Sequence, residues 1–163
     1  MIRDPETLEA LLDSVRRFVR ERLVPAEHEV AETDEIPPAI VQEMRDLGLF
    51  GLTIPEAYGG LELTMEEEVT VLFDLCQTSP AFRSVFGSTV GIGSQGILMD
   101  GTPEQKQRFL PRMATGEIVA SFALTEPDAG SDVAGIRTRA VRDGDHWVLN
   151  GSKMFITNGV HGD

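Results

Sequence analysis

The sequence predicts an α+β protein in which an N-terminal all-helical domain, residues 1–116, precedes an incomplete antiparallel β-domain, residues 117–163. Apolar residues recur at helical spacing through the first part of the chain. After Glu117, short alternating stretches are separated by Asp-Gly and Asn-Gly turns. Helices gathered in one part and strands in another are typical of α+β proteins, because α/β proteins alternate the two. The last strand would leave an open edge at Asp163, and we therefore expect the second domain to be incomplete.

The first helix is expected to begin at Asp4, whose carboxylate can cap free backbone amides, with Pro5 in the first turn. Its apolar residues follow at helical spacing: Leu8, Leu11, Leu12, Val15, Phe18, Val19 and Leu23. A loop ending at Pro37-Pro38 should then lead into a second helix, which Gly48 terminates. Residues 49–60 are predicted to be an extended segment and a turn.

Two further helices are predicted to start at capping boxes. Thr64 and Glu67 have the required spacing, and the same logic places a helix start at Thr102. The intervening residues 81–99 should be helical although they are rich in glycine. Within them, residues 91–96 fit the G-x-G-x-x-G pattern of dinucleotide-binding turns, but no strand precedes the first glycine. We therefore expect these glycines to allow close helix packing.

The β-domain is predicted to contain several short strands. The candidates are Ile118–Leu124, Ile136–Val141, His146–Leu149 and Lys153–Thr157, and turns are expected at residues 142–145 and 150–151.

Composition excludes several classes of protein. The formal net charge of −13 argues against a nucleic-acid-binding protein and against adhesion to anionic membranes. Most of this charge lies in residues 1–79, so the rest of the chain could accept an anionic ligand. Cys76 is the only cysteine and is expected to be a buried structural thiol, and the three histidines lack the spacing of a metal site. Without a signal-peptide pattern or an apolar run of membrane-spanning length, we expect a cytoplasmic protein.

Two stretches are candidates for chemistry. In residues 121–132, a predicted strand runs into a loop in which the amides of Gly130 and Ser131 could bind an anion, with Thr125 at the strand end. In residues 151–159, Phe155 and Thr157 would share one face of a strand and could contact a flat heteroaromatic ligand. An ordinary polar turn in the first stretch and core packing of Phe155 in the second are the alternatives.

Both stretches resemble the acyl-CoA dehydrogenase family. Residues 125–132, TEPDAGSD, are similar to the family's TEP-x-AGSD segment, and residues 153–159, KMFITNG, are similar to its K-M-[WF]-I-T-N-G segment. Residues 101–117 and the segment PEAYGG at 55–60 also resemble family segments. The resemblance covers nearly the whole chain and is specific for the family, though not for one substrate.

The resemblance implies FAD as cofactor and assigns site residues by position. Phe122, Leu124 and Thr125 would border the flavin, with Thr125 near its N1/O2 edge. Gly130 and Ser131 would meet the pyrophosphate, and Ser131 would also approach the acyl-CoA substrate. In the second segment, Phe155 would pack against the isoalloxazine, beside Ile156, and Thr157 would donate a hydrogen bond at flavin N5.

The resemblance also implies α,β-desaturation of an acyl-CoA thioester, with electron-transfer flavoprotein as acceptor and a homotetramer for the full-length protein. The family's catalytic glutamate comes from a C-terminal helical domain, so no catalytic residue is assigned here. We expect the 163-residue fragment to be inactive alone. Two alternatives stay open. One is a flavin-dependent relative: an acyl-CoA oxidase, a nitroalkane oxidase or a two-component monooxygenase. The other is a non-catalytic flavin- or CoA-binding module.

Overall fold

Residues 4–163 are described by a computed structural model, in which a helical region is followed by a single β-hairpin. The helices are α1 Pro5–Phe18, α2 Val24–Thr33, α3 Pro38–Asp46, α4 Met65–Leu75, α5 Pro80–Ser88, α6 Ser94–Asp100 and α7 Pro103–Ala114. The strands are β1 Arg139–Asp143 and β2 His146–Asn150. This arrangement confirms the predicted fold class. Residues 1–3, with which the predicted helical domain begins, lie outside the described residues, and the boundary at residue 116 stays a prediction.

Helix α1 begins as its sequence predicts, because the Asp4 carboxylate accepts hydrogen bonds from the amides of Glu6 and Thr7 at 3.1 and 3.2 Å. The loop predicted after Leu23 is wrong. A π-helical segment, Val19–Leu23, leads directly into α2, which continues to Thr33. Pro25 has no backbone N–H and would clash with a carbonyl of a regular α-helix. The wider π-turn just before it lets the helix continue past this residue.

The extended segment predicted for residues 49–60 is also wrong. The chain forms two 3₁₀ turns there, Leu49–Gly51 and Glu56–Tyr58, and folds back on itself. The amide of Leu61 donates to the carbonyl of Gly51 at 2.9 Å, and the amide of Leu63 donates to that of Leu52 at 2.7 Å. Tight turns bury nearly consecutive apolar side chains here, which an alternating strand could not do.

Both predicted capping boxes are present, at Thr64 before α4 and at Thr102 before α7. The glycine-rich region is helical as expected, and consists of α5, a π-helical segment Thr89–Gly93, and α6. The prediction for Cys76 is wrong. Helix α4 ends at Leu75, so Cys76 is the cap residue and its side chain is exposed.

The main core lies among the helices, where α1 packs against α4 and the first 3₁₀ turn contacts α3 and α5. Its largest fully buried side chains include Phe50, Phe82 and Phe86, and the rings of Phe50 and Phe86 meet edge to face at 6.0 Å. A smaller cluster joins Ile54 to the buried face of α7 at Leu110 and Met113. The residues that follow α7 pack against both clusters, Val119 against the main core and Ile118 and Ala120 against the smaller one.

The β-region is a two-stranded antiparallel hairpin in which Val141 faces Val148. Gly144 forms the turn with a φ of +59°. The strands predicted at Ile118–Leu124 and Lys153–Thr157 are not formed, since neither segment finds a partner strand among residues 4–163. A strand requires a ladder of hydrogen bonds, whereas the nearest backbone bond here joins the amide of Met154 to the carbonyl of Thr125, just after the first segment, at 2.9 Å.

Candidate functional site

The two candidate stretches, 27 residues apart at Glu126 and Lys153, lie side by side in the structure. The Lys153 ammonium donates to the carbonyl of Leu124 at 2.8 Å and to the Glu126 carboxylate at 2.9 Å. The backbone bond from Met154 to Thr125 runs beside these two contacts. The chain therefore brings Leu124 and Thr125 of the first stretch next to the start of the second stretch, although no sheet joins them.

Glu126 is the centre of this region. Its side chain is buried, and its carboxylate accepts hydrogen bonds from the amides of Arg137 at 2.7 Å and Thr138 at 2.9 Å as well as from Lys153. The Thr138 hydroxyl, the Arg137 amide and the Lys153 ammonium together lower the pKa of the Glu126 carboxyl to about 2. At neutral pH this side chain is an ionised acceptor for two other segments of the chain, residues 137–138 and Lys153.

The loop after Glu126 turns tightly and leaves donors free. The backbone amides of Glu126 and Ala129 each donate to the other's carbonyl, at 2.9 and 3.2 Å, and Ala129 is buried. Gly130 and Ser131 follow on the exposed side. Within residues 4–163, neither their amides nor the Ser131 hydroxyl donates a hydrogen bond. A Cβ at Gly130 would meet nothing within 4 Å, so the approach to these amides is open. Such donors fit a phosphate or pyrophosphate oxygen.

The second stretch is not the strand that the sequence predicts. Phe155 has a φ of +57° and Asn158 a φ of +58°, which is uncommon for residues other than glycine and especially so for an aromatic one. The Phe155 side chain is 86% exposed, Thr157 is exposed and Ile156 is half-buried. The alternative that Phe155 packs in the core is therefore wrong. A strained backbone holds an open aromatic face beside a threonine hydroxyl.

Asn158 fixes the far end of this stretch on the helical region. Its side-chain amide donates to the carbonyls of Val85 and Ser84 in α5, at 3.2 and 3.4 Å. A second link to the helical region is the hydrogen bond that the amide of Ala120 donates to the buried Thr89 hydroxyl at 3.0 Å. Hydrogen bonds from both sides of the site thus reach α5 and the π-helical segment that follows it.

A groove of about 510 Å³ lies beside Phe122, between α6, α7 and residues 118–122. Its lining is largely apolar and includes Gly93, Gly96, Phe109, Met113, Ile118 and Phe122. Phe122 is half-exposed on this wall, whereas Leu124 and Thr125 lie outside the lining and are half-buried. The groove can accept an elongated apolar group.

The glycine pattern at residues 91–96 lies on the groove. A Cβ on Gly93 would come within 2.5 Å of the Cβ of Ala120, so Gly93 permits close packing, but against the non-helical residues after α7 and not against a second helix as the sequence predicts. A Cβ on Gly91 or Gly96 would meet nothing within 4 Å. Close packing therefore explains one glycine of the three, and Gly96 faces open space beside the groove.

Sequence reasoning missed the roles of Glu126 and Lys153, although both stand inside the segments it selected. Their opposite charges were a possible signal, but no spacing rule pairs residues that meet only through the tertiary fold. Among residues 4–163 there is no group of three or more side chains placed to hold a metal ion. No helix within the same range has both the length and the apolar character needed to cross a membrane.

Comparisons with known proteins cover both parts of the chain. The family model described as "Acyl-CoA dehydrogenase, N-terminal domain" matches residues 5–117, and that described as "Acyl-CoA dehydrogenase, middle domain" matches residues 121–163. A curated relative, (2S)-methylsuccinyl-CoA dehydrogenase of Cereibacter sphaeroides, is 43% identical over 154 residues, which are 94% of this chain and 28% of the relative.

Solved structures share the fold at similar identity. A glutaryl-CoA dehydrogenase of Mycobacterium smegmatis in complex with FADH2 is 38% identical with a TM-score of 0.83, over 98% of this chain and 41% of that one. A chain from a structure described as an electron transferring flavoprotein of Acidaminococcus fermentans is 33% identical with a TM-score of 0.90, over 100% of this chain and 43% of that one. The present chain thus spans less than half the length of these relatives.

Proposed function

This chain belongs to the acyl-CoA dehydrogenase family, and we propose that it forms the N-terminal part of an FAD-dependent enzyme that desaturates acyl-CoA thioesters. One observation carries the proposal. The two stretches with family resemblance meet at Glu126 and Lys153, and leave free amides on one stretch and an open aromatic face on the other. Free backbone amides suit the phosphates of a flavin nucleotide, and an exposed aromatic ring suits its flat ring system.

Under this proposal the free donors of Gly130 and Ser131 bind the FAD pyrophosphate. Phe155 and Ile156 lie against the isoalloxazine, while Thr157 donates at flavin N5 and Thr125 at the N1/O2 edge. Phe122 and Leu124 border the same ring system. FAD, when bound, accepts the two electrons of the substrate as a hydride, and the protein supplies orientation and polarity. The solved relative that is in complex with FADH2 supports FAD as the cofactor.

The acyl-CoA would enter beside Ser131, with its acyl chain in the groove lined by Phe122, Gly93 and Gly96. An acyl chain bound against this largely apolar lining would displace water, which strengthens the hydrogen bonds that polarise a thioester oxygen. The α-proton must pass to a carboxylate, and we assign no residue of this chain to that step. We propose electron-transfer flavoprotein as the acceptor, a homotetramer for the full-length protein and a cytoplasmic location.

The test uses the full-length protein, purified with FAD, and a dye that accepts electrons. We expect acyl-CoA-dependent dye reduction by the full-length protein and none by the 163-residue chain alone. Ser131→Ala should weaken FAD binding severalfold, because it removes one free donor, whereas Ser14→Ala in α1 should leave binding unchanged.

Three outcomes would contradict the proposal or redirect it. A full-length protein without bound flavin would refute it. Rapid reaction of the reduced flavin with oxygen, with hydrogen peroxide as product, would instead indicate an oxidase on the same scaffold. Bound flavin without reduction by any acyl-CoA would indicate a binding module.

A further inference from the structure

We propose that Glu126 and Lys153 are a positioning pair, which holds the pyrophosphate-binding loop and the flavin-facing segment in register with each other. Neither side chain needs to contact the flavin in this role. The inference rests on the proposed function, since it concerns the same flavin site. It assigns a task to two residues whose charges the desaturation chemistry itself does not use.

The bonds of the pair connect the first stretch, the second stretch and the residues that lead into β1. Lys153 holds its own segment to the first stretch through the Leu124 carbonyl and the Glu126 carboxylate. Glu126 in turn accepts from the amides of Arg137 and Thr138, which lead into β1. Two side chains therefore join three separate segments, and the single backbone bond from Met154 to Thr125 is the remaining direct link between the two stretches.

The Glu126–Lys153 pair is less exposed to solvent than the ion pairs of the surface. The side chains of Lys153 and Glu126 are 21% and 7% exposed, whereas those of Arg137 and Asp128, which pair at 3.4 Å in the same loop, are 79% and 74% exposed. An exposed pair contributes little, because water screens it. Removing one member of a buried pair leaves an uncompensated charge, and the segments must move to hydrate it.

Movement of these segments would displace the groups assigned to the flavin. Gly130 and Ser131 follow the turn that Glu126 opens, and Phe155 and Thr157 follow Lys153 within four residues. A hydrogen bond weakens steeply when donor and acceptor are misaligned. Donors at flavin N5 and N1/O2 favour the reduced, more electron-rich flavin, so their loss should weaken binding of reduced FAD more than that of oxidised FAD.

The experiment compares four variants of the full-length protein: Glu126→Gln, Lys153→Met, the double variant, and Asp128→Asn as matched control. We expect each single variant to bind oxidised FAD about tenfold more weakly, because each leaves the other charge unpaired. In the double variant, the loss of affinity for oxidised FAD should be smaller than the product of the two single losses, because its two neutral side chains leave no charge unpaired. Asp128→Asn removes an exposed ion pair of the same loop, and this variant should bind FAD as tightly as the unmodified protein does.

A second readout separates positioning from general stability. If reduced FAD loses a further tenfold in affinity, the flavin reduction potential falls by about 30 mV in the single variants. A variant that only loosens the fold would lower the melting temperature and leave the potential of its bound flavin unchanged, and that result would overturn the proposal. Unchanged Kd and potential in folded Glu126→Gln or Lys153→Met would overturn it as well.

The outcomes also distinguish this inference from the proposed function. If the unmodified protein binds FAD and the variants bind it equally well, the positioning pair is refuted while the enzyme assignment stands. If the unmodified protein binds no FAD, both are refuted. Should Glu126→Gln fail to fold, as judged by circular dichroism, the partly exposed Lys153 allows Lys153→Met to decide the question alone.

Discussion

Gly93 and Gly96 should respond in opposite ways to the same substitution, although they stand three residues apart in one glycine-rich stretch. A Cβ on Gly93 would lie 2.5 Å from the Cβ of Ala120 and 2.7 Å from the carbonyl oxygen of Ser88. Neither neighbour can withdraw easily, because one is backbone and the other is held by the bond from the Ala120 amide to Thr89. A Cβ on Gly96 would meet nothing within 4 Å.

The magnitudes follow from these distances. Overpacking of a core by one carbon costs about 1–3 kcal/mol. Replacing glycine by alanine within a helix contributes about 0.5–1 kcal/mol in the favourable direction. Gly93→Ala should therefore lower the free energy of unfolding by about 1–2 kcal/mol, and Gly96→Ala should raise it by about 0.5–1 kcal/mol.

Thermal unfolding followed by circular dichroism measures both effects under one set of conditions. For a domain of this size, a change of 1 kcal/mol moves the melting temperature by about 2–4 °C. We expect Gly93→Ala to melt at a lower temperature and Gly96→Ala at a higher temperature than the unmodified chain. A Gly93→Ala variant as stable as the unmodified chain would refute the steric argument, and a destabilised Gly96→Ala would refute the open space at that position.

Three other predictions concern stability. Thr64→Ala removes the capping box of α4 and should lower the free energy of unfolding by about 1 kcal/mol in urea denaturation, whereas Thr70→Ala, mid-helix and half-buried, should change it far less. Phe82→Ala empties a fully buried position and should cost about 3–5 kcal/mol, read from the same denaturation curves. Folding lowers the pKa of Glu126 from 4.5 to about 2, so its ionisation stabilises the fold above pH 4.5 and this stabilisation is lost as the pH falls towards 2. Urea denaturation at stepped pH should therefore show that Glu126→Gln has the flatter stability profile between pH 5 and 2; equal slopes would contradict the assigned pKa.

Helix starts could be predicted from the sequence because their determinants are local. Asp4, Thr64 and Thr102 each bond to amides two or three residues onward, within reach of a short sequence window. The course of the chain after Leu23 could not, because Pro25 ordinarily breaks a helix and only the π-turn before it allows the helix to continue.

Strands and the site depend on partners that the local sequence does not specify. Alternation at Ile118–Leu124 and Lys153–Thr157 indicates a tendency to extend, but a strand forms only where a neighbouring strand completes the hydrogen bonds. Family resemblance selected the two stretches that meet in space. It did not reveal that Glu126 and Lys153 join them, because charges so far apart along the chain pair only through the fold.

At the two π-helical segments, Val19–Leu23 and Thr89–Gly93, the chain can change in length by one residue without a change in the orientation of the helices that follow. A π-turn holds one residue more than an α-turn and absorbs it locally, so the flanking helix keeps its buried face. Loss of one residue from such a segment would restore α-helical geometry without rotating Val30 or Ser94 out of the interior. Relatives can therefore differ by a single insertion or deletion at these two points and still superimpose, and alignments of the family should place their gaps within these helices as well as in loops.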